Sequence, residues 1–172
     1  MLKFYMRFFI VIIVIFSVLH AKEPNLMILD AIYANNTLVF RQNRDRFVCK
    51  SYGIVALDKI FENKKITNLC KKALKDFIIS NPKLINYAKY HLKTEQTYRI
   101  EFKNNKCIIY SNSKTTYSEM LLLNGLAVLK NGFKDEEFDY RYKKALMSAK
   151  VLKKGFWKNF RLKSCIKQLY KE

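Results

Sequence analysis

Glycine and proline are nearly absent from this sequence, four and two residues in 172. That excludes a collagen-like chain and low-complexity disorder rich in either residue. Only two histidines occur, His20 and His91. The first lies in an N-terminal targeting segment and the second stands alone, so neither marks a metal site. Four cysteines, Cys49, Cys70, Cys107 and Cys165, contain no C-x-x-C pair and are too scattered for a zinc cluster. Acid is also scarce: 14 Asp and Glu stand against 33 Lys and Arg, a formal charge of +19.

What is present is hydrophobic and aromatic. Half the residues are hydrophobic and 15% are Phe, Trp or Tyr, which suits one compact domain with a true core. The basic excess attracts polyanions, nucleic acid or anionic lipid. A base-composition bias that loads a protein with Lys, Asn, Ile, Phe and Tyr explains it equally well, so charge alone does not establish nucleic-acid binding.

Lys3 and Arg7 precede an apolar run over residues 8–19, and Ser17-Val-Leu-His-Ala21 offers a cleavage site. This reads as a signal peptide over residues 1–21, with an uncleaved anchor as the alternative. The run is short for a membrane span, which takes roughly 20 residues. The expected location is periplasmic or secreted, with membrane contact only through an uncleaved N-terminus. Removing that segment leaves residues 22–172 as a single domain with a charge of +17.

Along that domain the pattern predicts strands over residues 26–33, 37–41 and 46–54, joined by the turns Asn35-Asn36 and Asn43-Arg44-Asp45. Ile66, Leu69, Ala73, Leu74 and Phe77 then recur at helical spacing. Asn81-Pro82 predicts a second helix to about residue 91, with asparagine as cap. Residues 97–103 alternate as a strand, Asn104-Asn105 turns the chain, and residues 107–110 return. Thr116-x-x-Glu119 is a capping box and Gly125 closes the helix that it opens. Phe138, Tyr142, Ala145, Leu146, Ala149 and Leu152 mark a last helix. In the run from Lys153 to Lys163, aromatics alternate with basic residues. Phe156 and Trp157 either stack on bases or anchor the last helix, and the second expectation is preferred.

Four segments carry a family resemblance. Asn35-Asn36-Thr37 is similar to a D-G-D-T turn, and Cys49-Lys-Ser-Tyr-Gly-Ile-Val-Ala-Leu-Asp58 to V-R-L-x-G-I-D-x-P-E. Ser118-Glu-Met-Leu-Leu-Leu-Asn-Gly-Leu-Ala127 is similar to N-E-x-L-V-x-x-G-x-A, and Ala149-Lys-Val-Leu-Lys-Lys-Gly-Phe-Trp157 to A-K-x-x-x-x-G-x-W. These segments and the element order resemble the staphylococcal nuclease (thermonuclease-like) family. The resemblance implies an α+β, mainly β fold: a five-stranded OB barrel with three to four flanking helices.

It also implies a chemistry that this chain has largely lost. Family members cleave phosphodiesters with a carboxylate-held calcium ion, a general-base glutamate and two arginines. The calcium aspartates fall on Asn36 and Val55, a nearby threonine-like position on Ala56, and the glutamate on Asp58. The arginines fall on Lys50 and on Asn105, with Lys106 adjacent as a substitute. Calcium wants several charged oxygens, and lysine lacks the bidentate guanidinium fork. Losing one electrostatic stabiliser commonly costs roughly 10²–10³-fold in rate. The expectation is a non-catalytic barrel without cofactor, a binding or scaffold module for an unidentified envelope protein. The alternatives are a divergent secreted or periplasmic nuclease with relaxed metal needs, using Lys50, Asp58 and Lys106 with calcium as its cofactor, and a non-cleaving nucleic-acid binder using Lys50 and Lys106. The resemblance further implies a Cys70–Cys165 disulfide, and sets Cys49 and Cys107 on opposite faces, unbridged.

Overall fold

A computed structural model describes residues 25–112 and 114–170; the expected signal peptide, with Lys3, Arg7 and His20, lies outside the described residues. The chain begins with three antiparallel strands, β1 (Asn25–Ala34), β2 (Thr37–Gln42) and β3 (Asp45–Cys49). Asn43, at φ 56°, takes the left-handed conformation that a tight hairpin between β2 and β3 demands. The third strand ends at Cys49, five residues short of the Ile54 that the 46–54 expectation gave it. Gly53, at φ 75°, turns the chain, and a separate short strand, β4 (Ile54–Ala56), leaves in a new direction.

A 3-10 turn (Leu57–Glu62) leads to helix α1 (Asn68–Ser80), capped by the Thr67 hydroxyl accepting from the Cys70 amide. The predicted second helix is broken into α2 (Pro82–Ile85) and α3 (Tyr87–His91). Asn81 does not cap it: its side chain donates back to the Phe77 carbonyl and closes α1 instead. Strands β5 (Thr97–Lys103) and β6 (Lys106–Tyr110) form a hairpin whose two turn residues, Asn104 and Asn105, both have positive φ. The capping box at Thr116 and Glu119 opens α4 (Tyr117–Leu123). Strand β7 (Ala127–Leu129) pairs with β4, and α5 (Asp139–Val151), a 3-10 turn (Gly155–Lys158) and α6 (Phe160–Tyr170) complete the described chain.

Helix is thus more prominent than the mainly β, three-to-four-helix expectation allowed: the described residues form six α-helices. The structure is mixed α and β, with an antiparallel five-stranded sheet of order β3-β2-β1-β5-β6 and a two-stranded β4-β7 pair. The edge strands β3 and β6 lie at opposite ends of that order, yet the chain brings them together. Ser51 and Cys107 form a parallel bridge, the Cys107 amide donates to the Lys50 carbonyl at 2.9 Å, and the Tyr52 amide to the Cys107 carbonyl at 3.0 Å.

That contact corrects the cysteine expectation. Cys49 and Cys107 are not on opposite faces. Both point inward, fully buried, and they form a disulfide with Cα atoms 5.4 Å apart. The parallel pairing, absent from a flat reading of the meander, puts the two side chains on one side. Cys70 and Cys165 form a second disulfide that ties α1 to α6. No cysteine is free, and bonded pairs of this kind persist in oxidising compartments. No helix among the described residues is long and apolar enough to cross a membrane.

A single core joins sheet and helices, from Leu29 and Phe40 through Leu121 to Tyr142 and Leu162. Phe156 and Trp157 are buried in it, so they anchor the C-terminal helices and have no face to offer a base.

Candidate lysine cleft

The β1–β2 turn is the first place where a ligand set is expected, and it is already occupied by the fold. Asn35 donates from Nδ2 to the Leu84 carbonyl and accepts at Oδ1 from the Ala88 amide, pinning α2 and α3 to the sheet. Asn36 accepts at Oδ1 from the Ser51 amide at 2.8 Å, which holds the corner between β3 and β4. Both asparagines are buried. The one oxygen of Asn36 that could face a cation is spent on the backbone. Val55 pairs with Val128 across β4 and β7, and has no ligating atom. Ala56 is buried beside it. Among the described residues, no group of three or more His, Cys, Asp or Glu side chains is arranged to hold a metal ion.

Asp58 sits in the first turn of the 3-10 segment. Its Oδ1 is buried without a hydrogen-bond partner among the described residues. Burial pushes its carboxyl above the usual range, against smaller lowering by its own backbone amide and by Lys59. Nearby Tyr117 also has a buried, partnerless hydroxyl, and burial raises its pKa, with Tyr87 and Asp58 adding to the rise. Asp58 therefore faces the protein's interior as much as any ligand.

The basic positions do converge. Burial and then the neighbouring charges of Lys50 and Lys130 hold the Lys106 ammonium below its ordinary pKa. Lys106, Lys130 and Lys134 line a cleft of about 230 Å³ with Ser51 and Gly53, between the β5–β6 hairpin and the loop after β7. No acidic side chain lines it, and none of these lysines has an ion-pair partner among the described residues. Like charges gathered without a counter-charge repel one another, and an anion relieves that repulsion. Asn105 stands exposed at the hairpin tip and forms no part of the cleft lining. Asp58 does not line it either.

The structure thus gathers Lys50 and Lys106 from the expected set, and leaves Asn36, Val55 and Asp58 outside the basic cluster. Lys130 and Lys134 are additions that sequence reading missed. The Lys130-Asn-Gly-Phe-Lys134 turn signal was there, but only tertiary contact brings it opposite Lys106. His91, alone in sequence, stacks on Tyr87 at 3.9 Å. Comparison with models of known protein families gives no match, and comparison with curated proteins gives none.

Proposed function

We propose that this chain is an exported, non-catalytic barrel of the staphylococcal-nuclease OB type, a binding module of the bacterial cell envelope that takes an anionic ligand in its lysine cleft. One observation carries the reading. The cleft is lined by Lys106, Lys130 and Lys134 with no carboxylate. Such a cleft binds negative charge, but it cannot hold a divalent ion or supply a general base. The barrel part of the proposal draws on the Ser51–Cys107 bridge and the adjoining disulfide, which join the two sheet edges. Export draws on the sequence of the first 21 residues and on the two disulfides.

Incubation with plasmid DNA, in calcium and in chelator, tests the loss of catalysis. Both samples are expected to stay intact, and rapid chelator-sensitive degradation would sink the reading. Anion binding is read by titrating a labelled polyglutamate and a single-stranded oligonucleotide of equal charge. Lys106→Gln with Lys130→Gln is expected to weaken binding by about tenfold or more, with steep salt dependence. The oligonucleotide arm matters because the same lysines favour a second reading, a non-cleaving nucleic-acid binder. Clear preference for the oligonucleotide over polyglutamate would select it. Binding of neither anion at low salt would remove both.

A further inference from the structure

Across the loop after β7 lies a second, larger concavity that none of the family-like positions touches. It measures about 730 Å³, and its floor is Leu129, Phe133, Leu146, Met147 and Tyr170. Its rim is basic: Lys65, Lys130, Lys143 and Lys150 line it, and no acidic side chain does among the described residues. Lys143 reaches Asp139 at 2.7 Å, one turn back along α5, but Lys65 and Lys130 have no such pair.

The groove does not stop at its own walls. Tyr140, Met147 and Val151 of α5 are 73%, 55% and 74% exposed. Seven and then four residues apart, they share one helical face. At 1.5 Å per residue that face runs for roughly 16 Å. Met147 belongs both to this stripe and to the groove. Lys143, Lys144 and Lys150 flank it. An apolar stripe of this length on a charged helix is a surface that an elongated partner covers.

We infer that this groove, with the outer face of α5, is a docking site for an acidic amphipathic helix of a partner protein. The choice of occupant follows from charge and shape. Apolar anchors at i, i+3 or i+4 and i+7 meet the exposed Tyr140, Met147 and Val151 in the helix-in-groove manner. Asp and Glu on the flanks of the same helix meet the lysine rim. A second copy of this chain, carrying the same strong positive charge, brings repulsion to that rim. Single-stranded nucleic acid wants exposed aromatic faces. The rings that line the groove, Phe133 and Tyr170, are half-buried and buried, Phe133 is already stacked on Tyr142, and the stripe adds a single exposed ring, Tyr140, where successive bases need several. The inference rests on the binding-module reading and names a partner for it, at a surface that shares Lys130 and Phe133 with the lysine cleft and extends from it along α5.

The full chain is titrated with a fluorescent synthetic helix of about 18 residues, or five turns, carrying leucines at i, i+3/i+4 and i+7 and glutamates elsewhere. The reference is a peptide of the same composition in scrambled order. The patterned helix is expected to bind about tenfold more tightly than the scrambled one. Met147→Glu, at an exposed position where folding is not at stake, is expected to weaken it by about tenfold or more. Tyr90→Glu, at an exposed position on α3, which contributes no residue to the groove, serves as the control and leaves binding unchanged. Equal binding of patterned and scrambled peptides would overturn the inference, since charge alone would then suffice. So would a Met147→Glu protein that binds as well as the parent. Tight, Met147-dependent binding to phosphatidylcholine–phosphatidylglycerol vesicles with no helix binding would assign the surface to a membrane. Concentration-dependent self-association blocked by Met147→Glu would assign it to a second copy, and either result overturns the protein-partner claim. DNA degradation in the calcium assay removes the binding-module reading while patterned-helix binding still stands, so the two fail separately.

Discussion

Asp135 and Asp58 are both acids taken largely out of water, and their surroundings drive them in opposite directions. The side chain of Asp135 is only 2% exposed. Burial pushes its carboxyl up, but Lys103 at 2.6 Å, the Tyr52 hydroxyl at 2.8 Å and the amides of Phe138 and Glu137 outweigh it and bring it down to about 2. A depressed acid stabilises the fold above its ordinary value of 3.8 and loses that contribution as pH falls through about 2. The amount is on the order of 2 kcal/mol. Urea unfolding between those two pH values is expected to show a falling midpoint in the parent and a flatter profile in Asp135→Asn. Asp58 has the reverse sign. Its folded pKa is raised by burial, so the stability it allows is present at low pH and is lost as pH rises through the folded value. Asp58→Asn is expected to raise the melting temperature at neutral pH, by about 1 kcal/mol or more of stability, and to leave it unchanged in acid. A residue retained for catalysis gives no such pattern if calcium binds it, and a calcium-induced shift in melting of the parent, lost in Asp58→Asn, would count against the non-catalytic reading.

At the scale of elements, two separated segments of the chain turn out to be one contact. Gly125 closes α4 at φ 62°, and Gly155 opens the second 3-10 turn at φ 52°. The Phe156 amide donates to the Gly125 carbonyl at 3.1 Å. A Cβ at Gly125 would stand 2.2 Å from the Lys154 carbonyl oxygen, and one at Gly155 would stand 2.2 Å from that of Gly125. Backbone packs on backbone there, with nothing flexible to yield. Gly125→Ala is expected to destabilise by at least about 2 kcal/mol in chemical denaturation, well beyond a change at an exposed helix position. The contact joins the Asn124-Gly125 and Gly155-Phe156-Trp157 segments, which stand 30 residues apart in sequence. By contrast, Asn81 read as a cap and is a stop. Proline at position 82 was the correct signal for a new helix, but the asparagine side chain found the Phe77 carbonyl of the preceding one.

For the whole molecule, the two disulfides close loops of 58 and 95 residues in sequence separation. Chain-entropy reasoning assigns each roughly 4 kcal/mol, comparable to the whole margin of a small domain. Reduction is expected to lower the melting temperature by tens of degrees or to unfold the chain at body temperature. Intact mass after alkylation without reductant checks the bonds themselves: no alkylated thiol is expected, and four would refute both pairings. The Cys49–Cys107 bond matters beyond stability. It sits where β3 meets β6, immediately beside Lys50 and Lys106, so reduction is also expected to loosen the lysine cleft and weaken anion binding before global unfolding.

From the residues alone came the alternation of β5, the capping box at Thr116, the helical spacing of α1 and α5, the asparagine hairpin turns and the shortage of carboxylates. Each depends on neighbours within a turn or two, where local sterics and periodicity decide the outcome. Helix α6 follows the same logic, in the spacing of Leu162, Cys165, Ile166 and Leu169, although the run before it, from Lys153 to Lys163, shows no helical period of its own. What only the tertiary structure decided was every pairing across the chain: β4 with β7, Cys49 with Cys107, Lys106 with Lys130. Such pairings depend on where a turn like Gly53 sends the backbone, and a change of direction there moves everything after it. Local sequence carries the preference for a turn but not its aim, which is set by the packing of the core as a whole.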